Sequence, residues 1–330
     1  MKDRDVKRVN VFFLSLVLLH IAASVVVSML SISAVKIGTF GTLMFTQLLI
    51  MVPSFIFLIL FRCDLSEWVP LKKLRSGTVA LVILFTFMIM PFIGLINVFS
   101  QLFTTNTAVE MSGGFMEMPV VVTVIVVGFF GPFCEEFTFR GIIFSGLRKQ
   151  GYVFAAAVMS AVFFGLMHLN LNQLSYTLVL GVMFSLLVEA TGSIWGSIIS
   201  HAVINTWNVL LMIIFDKMDT MSNADLYSMS RELITTDMKL ESMGILLVLS
   251  VLGVAAATGT FIAICRNEGR FDNVISMFYK PEQGGVEAKE SASSVRLVTL
   301  SGYIAIGICL FVIFFLEKVV VWVQNNIPGK

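Results

Sequence analysis

The chain has 330 residues, of which 57% are hydrophobic and 13% charged, with a mean hydropathy of +0.93. Soluble domains carry roughly 25% charged residues, so this composition excludes an ordinary water-soluble globule. A formal net charge of +1 leaves no basic field of the kind a polyanion requires, and no nucleic-acid partner is expected.

Apolar runs near or above the roughly 20 residues that a helix needs to cross about 30 Å of hydrocarbon set the expected elements. They lie near 9–32, 41–61, 79–100, 119–147, 152–170, 173–190, 193–215, 243–265 and 297–323. Lipid offers no hydrogen-bond partners to an open backbone, and no regular apolar–polar alternation suggests barrel strands. The expected fold is therefore all-α, a polytopic transmembrane helix bundle of about eight to nine spans.

The first run follows Lys2, Arg4, Lys7 and Arg8. It is longer than the roughly 7–15 apolar residues of a signal-peptide core, so a retained anchor is expected. Positive loops stay on the cytoplasmic side, which puts the N-terminus inside. The alternation then puts Arg62, Lys72, Lys73, Arg75, Arg148, Lys149, Arg266, Arg270, Lys280 and Lys289 inside as well. Segments 33–40 and 101–118 hold one lysine between them, Lys36.

The connector 216–242 mixes Asp216, Asp219, Asp225, Glu232, Asp237 and Glu241 with a few basic residues and reads as a solvated outer loop. Pro281–Ser294, rich in Glu, Gly, Ser and Lys, reads as a flexible cytoplasmic loop. Cys63, Cys134, Cys265 and Cys309 fall singly in or beside apolar segments and read as reduced packing residues. Three parts follow: N-terminal transmembrane helices (1–118), a central helical core (119–215), and a C-terminal part (216–330) with the outer loop, two further spans and the cytoplasmic loop.

The fourth run contains Gly131-Pro132-Phe133-Cys134-Glu135-Glu136-Phe137-Thr138-Phe139-Arg140-Gly141, two carboxylates and a guanidinium inside an apolar helix. Ionisable residues at that depth are costly and are functional candidates by default. Positions four apart share a helix face, so Glu136 pairs with Arg140 and Glu135 is left free for chemistry. A buried ion-pair staple using both glutamates is the plain structural alternative. Pro132, with Gly131 beside it, is expected to kink this helix just before Glu135.

Of the three histidines, His168 and His201 lie deep in the fifth and seventh runs, and His20 stands in the first without an acidic neighbour. At about 1.5 Å per residue, Glu135 lies roughly 20 Å, His168 roughly 22 Å, His201 roughly 12 Å and Asn205 roughly 18 Å from the inner surface. Four polar groups thus converge near the membrane middle. His20 reads as a packing residue, Asn170, Asn172 and Gln173 as turn residues that satisfy backbone and water, and Glu189 as interfacial. Cys134 beside Glu135 opens a thiol-nucleophile alternative, which leaves the carboxylates unexplained.

Glu135-Glu136-x-x-x-Arg140, Phe164-x-x-x-His168 and His201-x-x-x-Asn205, in this order, resemble the three motifs of the CPBP family of CAAX prenyl proteases and bacteriocin-processing proteins, also called Abi. Thr191-Gly192-Ser193-Ile194-Trp195 before the third motif is also similar, and the resemblance covers roughly 119–215. It implies an intramembrane endopeptidase acting on a membrane-associated peptide or protein. Glu135 and His168 would activate water, His201 and Asn205 would stabilise the oxyanion, and Glu136, Arg140 and Phe164 would support them. It implies no cofactor and a bacterial plasma-membrane setting. A zinc protease with Glu135, His168 and His201 as ligands is an alternative, as are a transporter and a non-catalytic membrane scaffold.

Overall fold

The computed structural model describes residues 2–32, 38–104, 114–115, 118–222, 236–279 and 296–326, and no strand occurs among them. Nine helices carry the apolar runs. They are α1 (Lys2–Ile32), α2 (Thr39–Leu60), α4 (Ser76–Ser100), α5 (Val120–Arg148), α6 (Val153–Met167), α7 (Leu171–Thr191), α8 (Trp195–Ser222), α9 (Thr236–Asn267) and α11 (Leu300–Asn326). Two short helices, α3 (Leu65–Trp68) and α10 (Phe271–Ser276), lie in connections. Eight of the nine are long and apolar enough to cross a membrane, and the protein is an all-α integral membrane bundle. Residues 223–235 of the connector 216–242 and all of 281–294 lie outside the described residues; within the connector, α8 runs on to Ser222 and α9 starts at Thr236.

The exception is α6, expected over 152–170 but ending at Met167 after 15 residues. At 1.5 Å per residue it spans about 22 Å, short of a 30 Å core. The chain leaves the helix at His168, and Leu169 takes a left-handed φ of 49°. Asn170 then caps α7, its side-chain oxygen accepting from the Gln173 amide at 2.8 Å. His168 is therefore held on a turn and not along a helix face.

Pro132 leaves a backbone carbonyl of α5 for a partner on another helix. The helix α5 contains two π-helical stretches, Val124–Phe130 and Phe137–Phe144, on either side of an α-helical Gly131–Glu136. In the first stretch the Gly131 amide bonds back to the Val126 carbonyl, five residues away. The matching partner of the Val127 carbonyl would be residue 132, which as proline has no N–H to give. That carbonyl is taken instead by the Asn205 side-chain amide at 3.2 Å. The wide turns, a form that concentrates at functional sites, thus tie α5 to α8 at Val127, ahead of the two glutamates.

Every residue of Phe137–Phe144 is buried, so this half of α5 is the axis about which the other helices pack. One apolar core joins α1, α2, α5 and α6 with part of α11; a second joins α4, α7 and α9. Fully buried Asn10 fixes α11 against α1, donating to the Leu297 carbonyl at 3.0 Å and accepting from the Thr299 amide at 3.2 Å.

Of the basic residues expected on one side, Arg8, Arg148, Lys149 and Arg270 make contacts at one end, and Lys280 and Lys289 lie outside the described residues. Lys149 lies 3.6 Å from Asp5 and 4.0 Å over the Trp68 ring, while Arg8 stacks 4.4 Å over Phe61. Glu189, expected to reach headgroups, is instead buried there and paired with Arg148 and, at 3.5 Å, with Arg270. Its position explains this: α7 ends at Gly192, whose φ of 68° turns the chain sharply beneath the Arg270 side chain.

Candidate active site

A cavity of about 1030 Å³ opens within the bundle, and Glu135, His168, His201 and Asn205 all line it. Each comes from a different position in the fold: Glu135 from the α segment between the π stretches, His168 from the cap of α6, His201 and Asn205 one turn apart on α8. Their meeting depends on close helix approach. A Cβ at Gly128 would stand 2.4 Å from the Thr206 hydroxyl, so only glycine lets α5 and α8 come this near.

The support beneath the cavity is built around Arg140, the largest fully buried side chain. Its Nη1 donates to Glu136 Oε1 at 2.9 Å, both side chains fully shielded, and its Nη2 donates to the Gly181 carbonyl at 3.2 Å. The guanidinium also lies 4.4 Å over Phe164 and 5.1 Å from Phe184. Phe164 in turn packs edge-on against His168 at 5.1 Å and His201 at 6.0 Å, and Phe184 stacks on His201 at 4.8 Å. One buried cation and two phenyl rings therefore set the planes of both imidazoles.

Glu136 has a second partner that the i, i+4 spacing does not reveal. Its Oε1 lies 3.0 Å from His201 Nδ1. A carboxylate paired with a buried guanidinium only accepts, so Nδ1 must carry the proton. In neutral His201 the remaining nitrogen, Nε2, is then a bare acceptor; it donates only when the ring is an imidazolium. Nε2 points toward Glu135 Oε2 at 3.8 Å, beyond hydrogen-bond reach but close in charge terms.

Glu135 has 19% of its side chain exposed to the cavity, against none for Glu136. Adjacent in sequence, the two carboxylates point to different tasks because a helix rotates about 100° per residue. The Gln47 amide from α2 is a hydrogen-bonding neighbour of Glu135. Among the described residues, no direct bond joins Glu135 to His168; they face each other's space across the cavity. Asn205 spends one amide hydrogen on Val127 and keeps the other for the cavity. Cys134 is sealed in the core and does not line the cavity. No group of three or more His, Cys, Asp or Glu side chains among the described residues is placed to hold a metal ion.

Several cavity residues were not singled out as candidates: Gln47, Tyr176 and Asn208. Gln47 is a lone amide in an apolar span, and Asn208 continues the His201–Asn205 face, so both carried a signal. His20, expected to be packing, also lines the cavity, and its Nδ1 is buried without a partner. Its place could not be read from spacing, because α1 is distant in sequence from every other site residue.

Residues 117–207 match the family described as Type II CAAX prenyl endopeptidase Rce1-like. A stretch of 94 residues is 35% identical to a Bacillus subtilis (strain 168) protein bearing the name "Putative membrane peptidase YdiL". That match covers 28% of this chain and 38% of the relative. No solved structure matches. The segment that supplies Glu135, His168, His201 and Asn205 is thus similar to the Rce1-like, type II CAAX prenyl endopeptidase family.

Proposed function

We propose that the protein is an intramembrane endopeptidase that hydrolyses a peptide bond of a membrane-associated peptide or protein, with Glu135 as the general base. The observation that carries this reading is the division of labour between adjacent carboxylates. Glu136 is locked between Arg140 and His201, while Glu135 stands unlocked at the cavity surface beside two imidazoles and an amide.

In this mechanism a water held between Glu135 and His168 loses a proton to Glu135 as its oxygen bonds the scissile carbonyl carbon. The carbonyl becomes an oxyanion, which the free Asn205 N–H and the His201 imidazolium receive. Glu136 keeps that imidazolium in place by accepting from Nδ1. Collapse breaks the C–N bond, and the proton on Glu135 passes to the leaving amine. Carboxylate and imidazolium end as they began, with one water consumed. The low-dielectric surroundings strengthen each of these interactions relative to water.

The basic end formed by α1, the 62–75 connection, the 148–149 turn and Arg270 is assigned to the cytoplasm, with the N-terminus inside a bacterial plasma membrane. The test is a substrate trap: Glu135→Ala protein in its native membrane retains a peptide that wild type removes. Equal membrane peptide profiles for the two would sink the assignment. Zinc participation is separately readable as metal content of the purified protein and loss of cleavage on chelation.

A further inference from the structure

The matched segment supplies only part of the cavity wall. The opposite wall comes from α1, α2 and α11, outside residues 117–207. It mixes apolar side chains, such as Val25 from α1 and Leu316 from α11, with polar ones, such as Ser24 and Thr46, and it carries two titratable side chains, His20 and Glu317. Neither has a role in the chemistry above.

Glu317 is half-buried on an apolar helix and has no ion-pair partner among the described residues. Lys318, its chain neighbour, is rotated about 100° from it on the helix. A carboxylate half-buried on a membrane helix is costly until a cation meets it. The cavity is at the top of the roughly 300–1,000 Å³ range of ligand pockets, enough for several residues of an extended chain.

We infer that this wall selects the substrate: Glu317 receives a cationic group, a lysine or arginine side chain or a free amino terminus, on an otherwise apolar peptide. This deepens the peptidase reading and rests on it for the ligand being a peptide. Held by Asn10 at its entry, α11 keeps a fixed position against α1, so the separation between Glu317 and Glu135 fixes which bond lies over the catalytic carboxylate.

Binding, not turnover, separates this inference from the peptidase reading. Glu135→Gln protein in neutral phosphatidylcholine nanodiscs is titrated with dye-labelled apolar peptides in which one lysine is scanned along the chain, with norleucine as the control. The expected result is a roughly ten-fold preference for lysine at one register. Glu317→Gln removes that preference, and Glu317→Lys turns it toward a glutamate-bearing peptide. Absence of a lysine preference, its survival in Glu317→Gln, or no peptide binding at all would overturn the inference. Lysine-selective binding without any cleavage by wild type would leave the wall's role standing and remove the hydrolytic one.

Discussion

Removing the charge of Glu136 should damage stability and chemistry by different routes, and the two can be separated. In Glu136→Gln the side-chain oxygen can still accept from Arg140 and from His201 Nδ1, whose distances are 2.9 and 3.0 Å. What is lost is the counter-charge of a guanidinium with no solvent exposure. Breaking a buried pair on one side costs about 3–5 kcal/mol. Replacing both partners with apolar residues of similar size is close to neutral, so Glu136→Leu with Arg140→Met should recover most of that loss. The double variant nonetheless deprives His201 Nδ1 of its acceptor, so ring orientation and tautomer are no longer fixed. Groups that orient a functional histidine in this way are worth on the order of 10–100-fold. Unfolding of the purified variants in mixed micelles reads the first effect, and cleavage of the trapped peptide reads the second. A Glu136→Gln variant within about 1 kcal/mol of wild type would refute the account of the ion pair. Full activity in the apolar double variant would refute the account of His201.

Other substitutions probe separate links. Glu135→Gln should abolish cleavage, a loss of at least about 10²-fold, while leaving the unfolding midpoint near wild type, because Glu135 makes no locked ion pair. Asn205→Ala should lower the cleavage rate by about 10²–10³-fold and also destabilise, since the Val127 carbonyl loses its donor. Gly128→Ala should cost about 1–3 kcal/mol by pressing on the Thr206 hydroxyl, and Thr206→Ala in the same chain should restore much of the unfolding midpoint. Asn10→Ala leaves the Thr299 amide and Leu297 carbonyl unmet, so cysteine cross-linking between α1 and α11 should become less specific.

The helical class and the membrane setting were legible from hydropathy alone, because a span must be apolar over its whole length. The Glu136–Arg140 pair was legible because i, i+4 contacts are local. The bond from Glu136 to His201 joins residues 65 apart in sequence, and no spacing rule reaches that far. The same holds for His20 and Gln47, whose apolar neighbours are what any span would have. Pro132 was read as a kink because proline removes a helical bond. Its further consequence, a Val127 carbonyl answered from another helix by Asn205, is a tertiary fact that no local rule reaches. The short α6 was overestimated because its apolar run continues past the point where His168, Leu169 and Asn170 turn the chain.

The central claim is that Glu135 drives hydrolysis of a peptide bond by a water inside the bundle. Membranes containing wild-type or Glu135→Gln protein, incubated in water enriched in oxygen-18, read this directly by mass spectrometry of the released peptides. New C-termini carrying the heavy isotope in wild type and missing from Glu135→Gln are the predicted outcome. Labelled termini of equal abundance in both would contradict the claim.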